Sequence, residues 1–272
     1  MAEALASGTQ RIGAAFAAAR EAGHAALMPY MMGGFPDHDG SLAVADAYAE
    51  GGADLIELGV PFSDPLADGP VIHDAGTKAL AAGATLESVL AVCEHASRRV
   101  PVVLMVYANM VIAGGGAARF AEEAAVAGAS GVIVPDLPLG EAEDVRDYLA
   151  AAGLASVPLV APTTPEDRRR EIAAAATGFV YVVADVGTTG ERDSVAAGVA
   201  DLVEAVRSEA RLPVAVGFGI GTPEQVAEVG GVADGVIIGS RLVRAVAEAG
   251  SPAAGVAAAR EFLDRATAAL AG

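Results

Sequence analysis

Asp54-Leu55-Ile56-Glu57-Leu58-Gly59-Val60-Pro61-Phe62-Ser63-Asp64-Pro65-Leu66-Ala67-Asp68-Gly69-Pro70 is the stretch on which the reading of this chain turns. It opens as an apolar strand interrupted by one carboxylate and ends in a loop stiffened by Pro61, Pro65 and Pro70. Side chains alternate along a strand, so Leu55, Glu57 and Gly59 share one face while Ile56 and Leu58 share the other. A strand apolar on both faces belongs to a parallel sheet covered by helices. Ile56 and Leu58 suit the helix-packed outside, which turns Glu57 inward near the strand's carboxyl end.

Outward from this stretch the same unit repeats. Short aliphatic or β-branched runs at 26–32, 54–59, 102–107, 131–134, 156–160, 179–183, 214–216 and 235–238 predict strands. Ala-, Glu- and Arg-rich patterns at 41–50, 86–98, 117–127, 141–151, 165–176, 199–209 and 223–229 predict the helices between them. One more helix, at 10–22, precedes the first strand, and another, at 253–270, closes the chain. The expectation is an α/β fold, a single-domain (β/α)8 TIM barrel with an extra N-terminal helix. Residues 1–25 would hold that helix, 26–248 the barrel and 252–272 the C-terminal helix. A doubly wound open sheet is the rival arrangement.

Composition sets limits on partners. The 272 residues are 53% hydrophobic, ample for a large core and wrong for a disordered chain. Seventeen Lys and Arg against 35 Asp and Glu give a net charge of -18, a field that repels nucleic acid and anionic membrane. The one cysteine, Cys93, excludes an internal disulfide or a multi-Cys metal site and fits a reducing cytosol. It lies among apolar residues of a helical stretch and reads as a buried structural thiol. His24, His38, His73 and His95 are scattered without ligand spacing, so no metal site is expected. No basic n-region precedes the Ala-rich start, so no signal peptide is read. The uncharged run 100–118 contains Pro101, Asn109 and Gly114-Gly115-Gly116 and reads as strand, loop and helix start rather than a membrane span.

In a barrel of this kind, chemistry sits in the loops after the strands. An inward carboxylate at position 57 would be desolvated, which raises its pKa and suits proton transfer; a structurally satisfied Glu fits the position equally well. Asp64 and Asp68 could face the same mouth, or simply make Asx turns. Late glycine clusters, Gly187-Thr188-Thr189-Gly190, Gly217-Phe218-Gly219-Ile220 and Gly239-Ser240, offer main-chain N–H groups. Such dipoles can hold a phosphate despite the global charge. Tyr181 shares a face with Phe179 and Val183, so it points inward either as a site residue or as a core tyrosine.

The segment 57–70, together with Tyr107-Ala108-Asn109, Pro135-Asp136-Leu137-Pro138, Phe179-Val180-Tyr181, Gly190, Gly217-Phe218-Gly219-Ile220 and Gly239-Ser240, resembles the tryptophan synthase α-subunit family. The resemblance runs from about Pro29 to Val246. It implies a cytoplasmic lyase of tryptophan biosynthesis that cleaves indole-3-glycerol phosphate by retro-aldol chemistry to indole and D-glyceraldehyde 3-phosphate. It further implies an α2β2 complex whose β subunit carries pyridoxal phosphate, with no cofactor in this chain. Carried over residue by residue, it implies Glu57 as acid and base, Asp68 at the indole nitrogen and Tyr181 beside them. Gly190, Gly219, Gly239 and Ser240 would meet the phosphate. Tyr30, Ile72, Met105 and Phe218 would line the indole pocket, and Asp64 and Asn109 would touch the β subunit.

Protonating the indole C3 makes it a leaving group, the cation sits on the ring nitrogen, and a carboxylate there stabilises it. A base then takes the hydroxyl proton as the C–C bond breaks. The chain departs from the family pattern at Ala184 and Asp185, where Ser and then Arg or a neutral residue are more usual, and at Met32, where Thr is common. An acidic residue in a phosphate-covering loop is costly unless it turns away, so Asp185 is expected to face outward and the loop 184–193 to be mobile without ligand. Two alternatives share the sequence: a stand-alone lyase releasing free indole, and an activity-poor barrel that mainly activates a β partner.

Overall fold

The computed structural model describes residues 6–183, 198–217 and 219–272. The chain runs α1 (Gly8–Glu21), β1 (Ala26–Met32), α2 (His38–Glu50), β2 (Ile56–Gly59), α3 (Pro70–Ala81), α4 (Leu86–Ser97), β3 (Val102–Met105), α5 (Ala108–Ile112), α6 (Ala117–Val126) and β4 (Gly131–Ile133). It continues through α7 (Glu143–Ala151), β5 (Ala155–Ser156), β6 (Leu159–Val160), α8 (Glu166–Ala175), β7 (Val180–Val183) and α9 (Val199–Glu209). It ends with β8 (Val214–Gly217), α10 (Pro223–Gly230), β9 (Gly235–Ile238), α11 (Ser240–Glu248) and α12 (Pro252–Leu270).

All pairings are parallel, in the order β5-β4-β3-β2-β1-β9-β8-β7-β6. The two ends of that order, β5 and β6, belong to one short stretch of chain. Val157 N–H donates to the Val132 carbonyl at 3.0 Å on one side, and Tyr181 N–H donates to the Pro158 carbonyl at 3.0 Å on the other. The sheet therefore closes into a barrel, and the open doubly wound arrangement is excluded. The sequence predicts one strand at 156–160; Pro158 has no N–H to give, so the stave is divided into β5 and β6.

Period-two alternation sorts the strand residues cleanly. Ala26, Met28, Leu55, Val103, Ile133, Phe179, Tyr181, Ala215 and Ile237 form the inner cluster. Leu27, Ile56, Leu58, Leu104, Val182, Val216 and Val236 pack outward among the helices. Glu57 thus lies on the inner face, as the sequence predicts. The extra N-terminal helix plugs the barrel's amino end: Ile12, Phe16 and Ala19 join the inner cluster. The Phe16 and Phe179 rings lie 5.6 Å apart. Helix α1 starts at a capping box in which Ser7 accepts from the Gln10 N–H and the Gln10 side chain answers to Ser7 N–H. Thr85 and Thr222 start α4 and α10 in the same way.

Besides α11, which follows the Gly239-Ser240 cluster, two helices escape the sequence reading. Pro70 sits at the first turn of α3, and Ile72, Ala75, Gly76 and Ala79 are its buried face. The β-branched and glycine residues between them mask that helical spacing. The other, α5, is a five-residue helix set within the stretch 100–118, which resolves into β3, α5 and the start of α6. Among the described residues no helix is long and apolar enough to cross a membrane.

Candidate active site

The carboxyl ends of the strands surround a cavity of about 660 Å³ including its open mouth. Nine of the sequence-predicted residues line it: Glu57, Asp68, Tyr181, Gly219, Gly239, Ser240, Tyr30, Ile72 and Met105. Strand register brings the first of these together, because β1 Tyr30 pairs with β2 Glu57 and β2 Gly59 with β3 Met105. Gly190 and Phe218 lie outside the described residues, as do Asp185 and the loop 184–193. Asp64 and Asn109 are exposed beside the mouth rather than in the cavity. The same two segments carry Leu66, 87% exposed, and Ile112, 55% exposed.

Glu57 is 1% exposed, and its Oε2 has no hydrogen-bond partner among the described residues. Burial, and then the negative charge of Asp68, pushes its carboxyl up to about 8. Asp68 is also raised by burial, but the Tyr107 O–H and the His73 charge pull it back. The Tyr107 hydroxyl donates to Asp68 Oδ1 at 2.9 Å. One carboxyl is thereby held protonated near neutrality, while its neighbour, although also raised by burial, keeps two contacts that favour its anion, the kind of difference that separates a general acid from an electrostatic stabiliser. Tyr30 and Tyr181 are both raised by burial and by the nearby carboxylates, so their phenols stay neutral and can donate.

Two glycines make room for these phenols. A Cβ on Gly59 would sit 2.1 Å from the Tyr30 hydroxyl oxygen, and one on Gly217 would sit 2.3 Å from that of Tyr181. The Tyr48 hydroxyl donates to the Tyr30 carbonyl at 3.1 Å and steadies β1.

At the far side of the cavity, Gly219 adopts a φ of 83°, a conformation that favours glycine. Gly239 is the N-cap of α11, whose first N–H groups have no intrahelical acceptor and face an anion favourably. The Arg241 guanidinium stacks over the Phe262 ring, 5.0 Å from its centroid, and is committed to α12.

Sequence reasoning singled out Tyr107, Leu66, Pro135 and Ile220 only as parts of motifs, and missed Ile112, Leu159 and Ile237 as site residues. Leu159 and Ile237 are apolar cavity walls on β6 and β9 whose inward direction follows the same period-two rule; Pro135 and Ile220 line the cavity from beyond the strand ends, and Leu66 and Ile112 carry no local signal. Cys93 is buried, with its thiol pushed up to about 12. Among the described residues no group of three His, Cys, Asp or Glu side chains could hold a metal ion.

The family model "Tryptophan synthase alpha chain" matches residues 16–270. The tryptophan synthase alpha chain of Carboxydothermus hydrogenoformans is 49% identical over 87% of this chain and 89% of its own length. That of Roseiflexus castenholzii is 45% identical over 93% of this chain and 97% of its own. A structure of Mycobacterium tuberculosis tryptophan synthase superposes with a TM-score of 0.88 at 36% identity, covering 97% of this chain and 98% of that one. A mutant tryptophan synthase alpha-subunit from Pyrococcus furiosus superposes with a TM-score of 0.82 at 33% identity, covering 89% of this chain and 98% of its own.

Proposed function

This chain belongs to the tryptophan synthase alpha chain family, lyases that cleave indole-3-glycerol phosphate to indole and glyceraldehyde 3-phosphate, and we propose that Glu57, Asp68 and Tyr181 carry that cleavage here. The observation that carries the assignment is the buried carboxyl of Glu57, its Oε2 without a partner among the described residues, facing the same cavity as Asp68. Glu57, protonated near neutrality, delivers its proton to the indole C3 and, as the anion, then takes the hydroxyl proton of the departing three-carbon unit. Asp68 stays ionised and stabilises the positive ring nitrogen. Tyr181 donates its phenol beside them. Gly219, Gly239 and Ser240, with Gly190 from the loop beyond β7, bind the phosphate through main-chain N–H groups. Tyr30, Ile72 and Met105, with Phe218, enclose the indole.

The chain itself needs no cofactor for these steps. Its partner is a β subunit in an α2β2 complex of the cytoplasm, and pyridoxal phosphate belongs to that subunit. Exposed Leu66 and Ile112, next to Asp64 and Asn109, support docking at the mouth.

Glu57→Gln keeps shape and polarity but cannot shuttle protons, so cleavage is expected to fall by at least ~10²-fold with the fold intact. Near-normal turnover of indole-3-glycerol phosphate by that variant would overturn the assignment. Turnover of the chain alone and with a β subunit separates a subunit from a stand-alone lyase and from a barrel that only activates its partner.

A further inference from the structure

Asp68 is carried by a loop with little holding it. Among the described residues, the backbone of residues 61–67 makes a single hydrogen bond to the rest of the protein, from the Ala67 N–H to the Tyr107 hydroxyl at 3.1 Å. The same hydroxyl lies 2.9 Å from Asp68 Oδ1. The direction of both bonds is fixed by chemistry: a backbone N–H only donates, so the phenol oxygen accepts from Ala67, and its one proton goes to Asp68. The ring grips the loop a second time, because Phe62 stacks on Tyr107 with centroids 5.3 Å apart and planes 28° apart. Tyr107 itself stands on the rigid barrel just after β3, is buried, and is the N-cap residue of α5.

We propose that Tyr107 is the residue that positions Asp68 for the cleavage, by clamping the loop through its ring and orienting the carboxylate through its hydroxyl. This rests on the reading of Asp68 as the group at the indole nitrogen. Two mutually supporting bonds to consecutive residues hold Asp68 by its Oδ1 and restrict the direction of the carboxylate. The phenol also stabilises the anionic form of Asp68, which the cleavage needs, because a hydrogen bond to the charged state favours it. Tyr107 touches neither substrate nor reacting atoms in this scheme, so it is a positioning residue.

The test is Tyr107→Phe, which keeps the stack on Phe62 and removes only the hydroxyl. Indole-3-glycerol phosphate cleavage by the whole chain is expected to lose roughly 10- to 100-fold in kcat, the scale of one hydrogen bond to a charged group. The acid limb of kcat/KM should move to higher pH by roughly half a unit to one unit, because Asp68 then ionises later. Inhibition by glycerol phosphate, which reads the phosphate end alone, should stay within about threefold. In an Asp68→Asn background the second change should cost almost nothing more, since its target is gone. Turnover of Tyr107→Phe within threefold of the parent, an unmoved acid limb, or full additivity with Asp68→Asn would each overturn the inference. Normal turnover by Asp68→Asn alone would instead sink the reading of Asp68 on which it rests.

Discussion

Glu57 keeps its proton to about pH 8 in the folded chain and releases it near 4.5 when unfolded. Between those values the folded state binds the extra proton, so this group's contribution to stability falls as pH rises from 4.5 to 8 and is level above. A carboxyl that costs stability across this range fits the acid-base role proposed for Glu57 and contributes nothing to folding there. Glu57→Gln removes the titration, so the stability advantage of the variant over the parent should grow between about pH 5 and pH 8.5, by at most about 4 kcal/mol. Urea melts of both proteins across that range check it, and parallel pH curves would refute it. At this scale the sequence is legible where a rule is local. Period two alone turns Glu57 inward, because Leu55 and Gly59 share its face. Tyr107 was not legible, since its role depends on contact with Asp68 across 39 residues and on a loop whose path no periodicity encodes.

Among the elements, α11 has the most direct bearing on substrate. Its N-cap Gly239 and first residue Ser240 face the cavity, while Arg241, one residue further, leans onto Phe262 of α12. On the proposed reading, an anion at this helix start would meet main-chain dipoles rather than the guanidinium. Arg241→Ala should change the affinity for glycerol phosphate by less than about threefold, although losing the stack on Phe262 should cost ~0.5–1 kcal/mol of stability. Titration calorimetry decides the first part, and a tenfold loss of affinity would show that the side chain holds the anion. Helix α3 marks the limit of element reading. Its buried face at 72, 75, 76 and 79 has helical spacing, yet Val71, Ile72, Gly76 and Thr77 depress the local helix preference. Packing against the barrel outweighs that preference, and packing is not written in the segment itself.

For the whole molecule, the alternation of units identified a barrel before its closure could be seen. The closure itself rests on Pro158 and its neighbours, where one stave serves both ends of the sheet. The amino end is sealed by α1, with Phe16 6% exposed and set against Phe179. A Cβ on Gly235 would lie 2.9 Å from the Phe16 ring, so the plug fits with no slack. Phe16→Ala should cost about 3–5 kcal/mol of stability while leaving KM unchanged, because the substrate cavity is at the opposite end of the barrel. A thermal melt with a parallel KM determination checks both, and a raised KM at unchanged stability would contradict the division. The plug also has a consequence in time. The ribosome makes α1 before every strand, but its socket is lined by Phe179 and Gly235, more than 150 residues later. Early strands supply only part of the socket, through Met28, Leu55 and Val103, so the Ile12–Phe16–Ala19 face stays incompletely covered until the last strands are made, and the first helix translated is among the last to be fully seated.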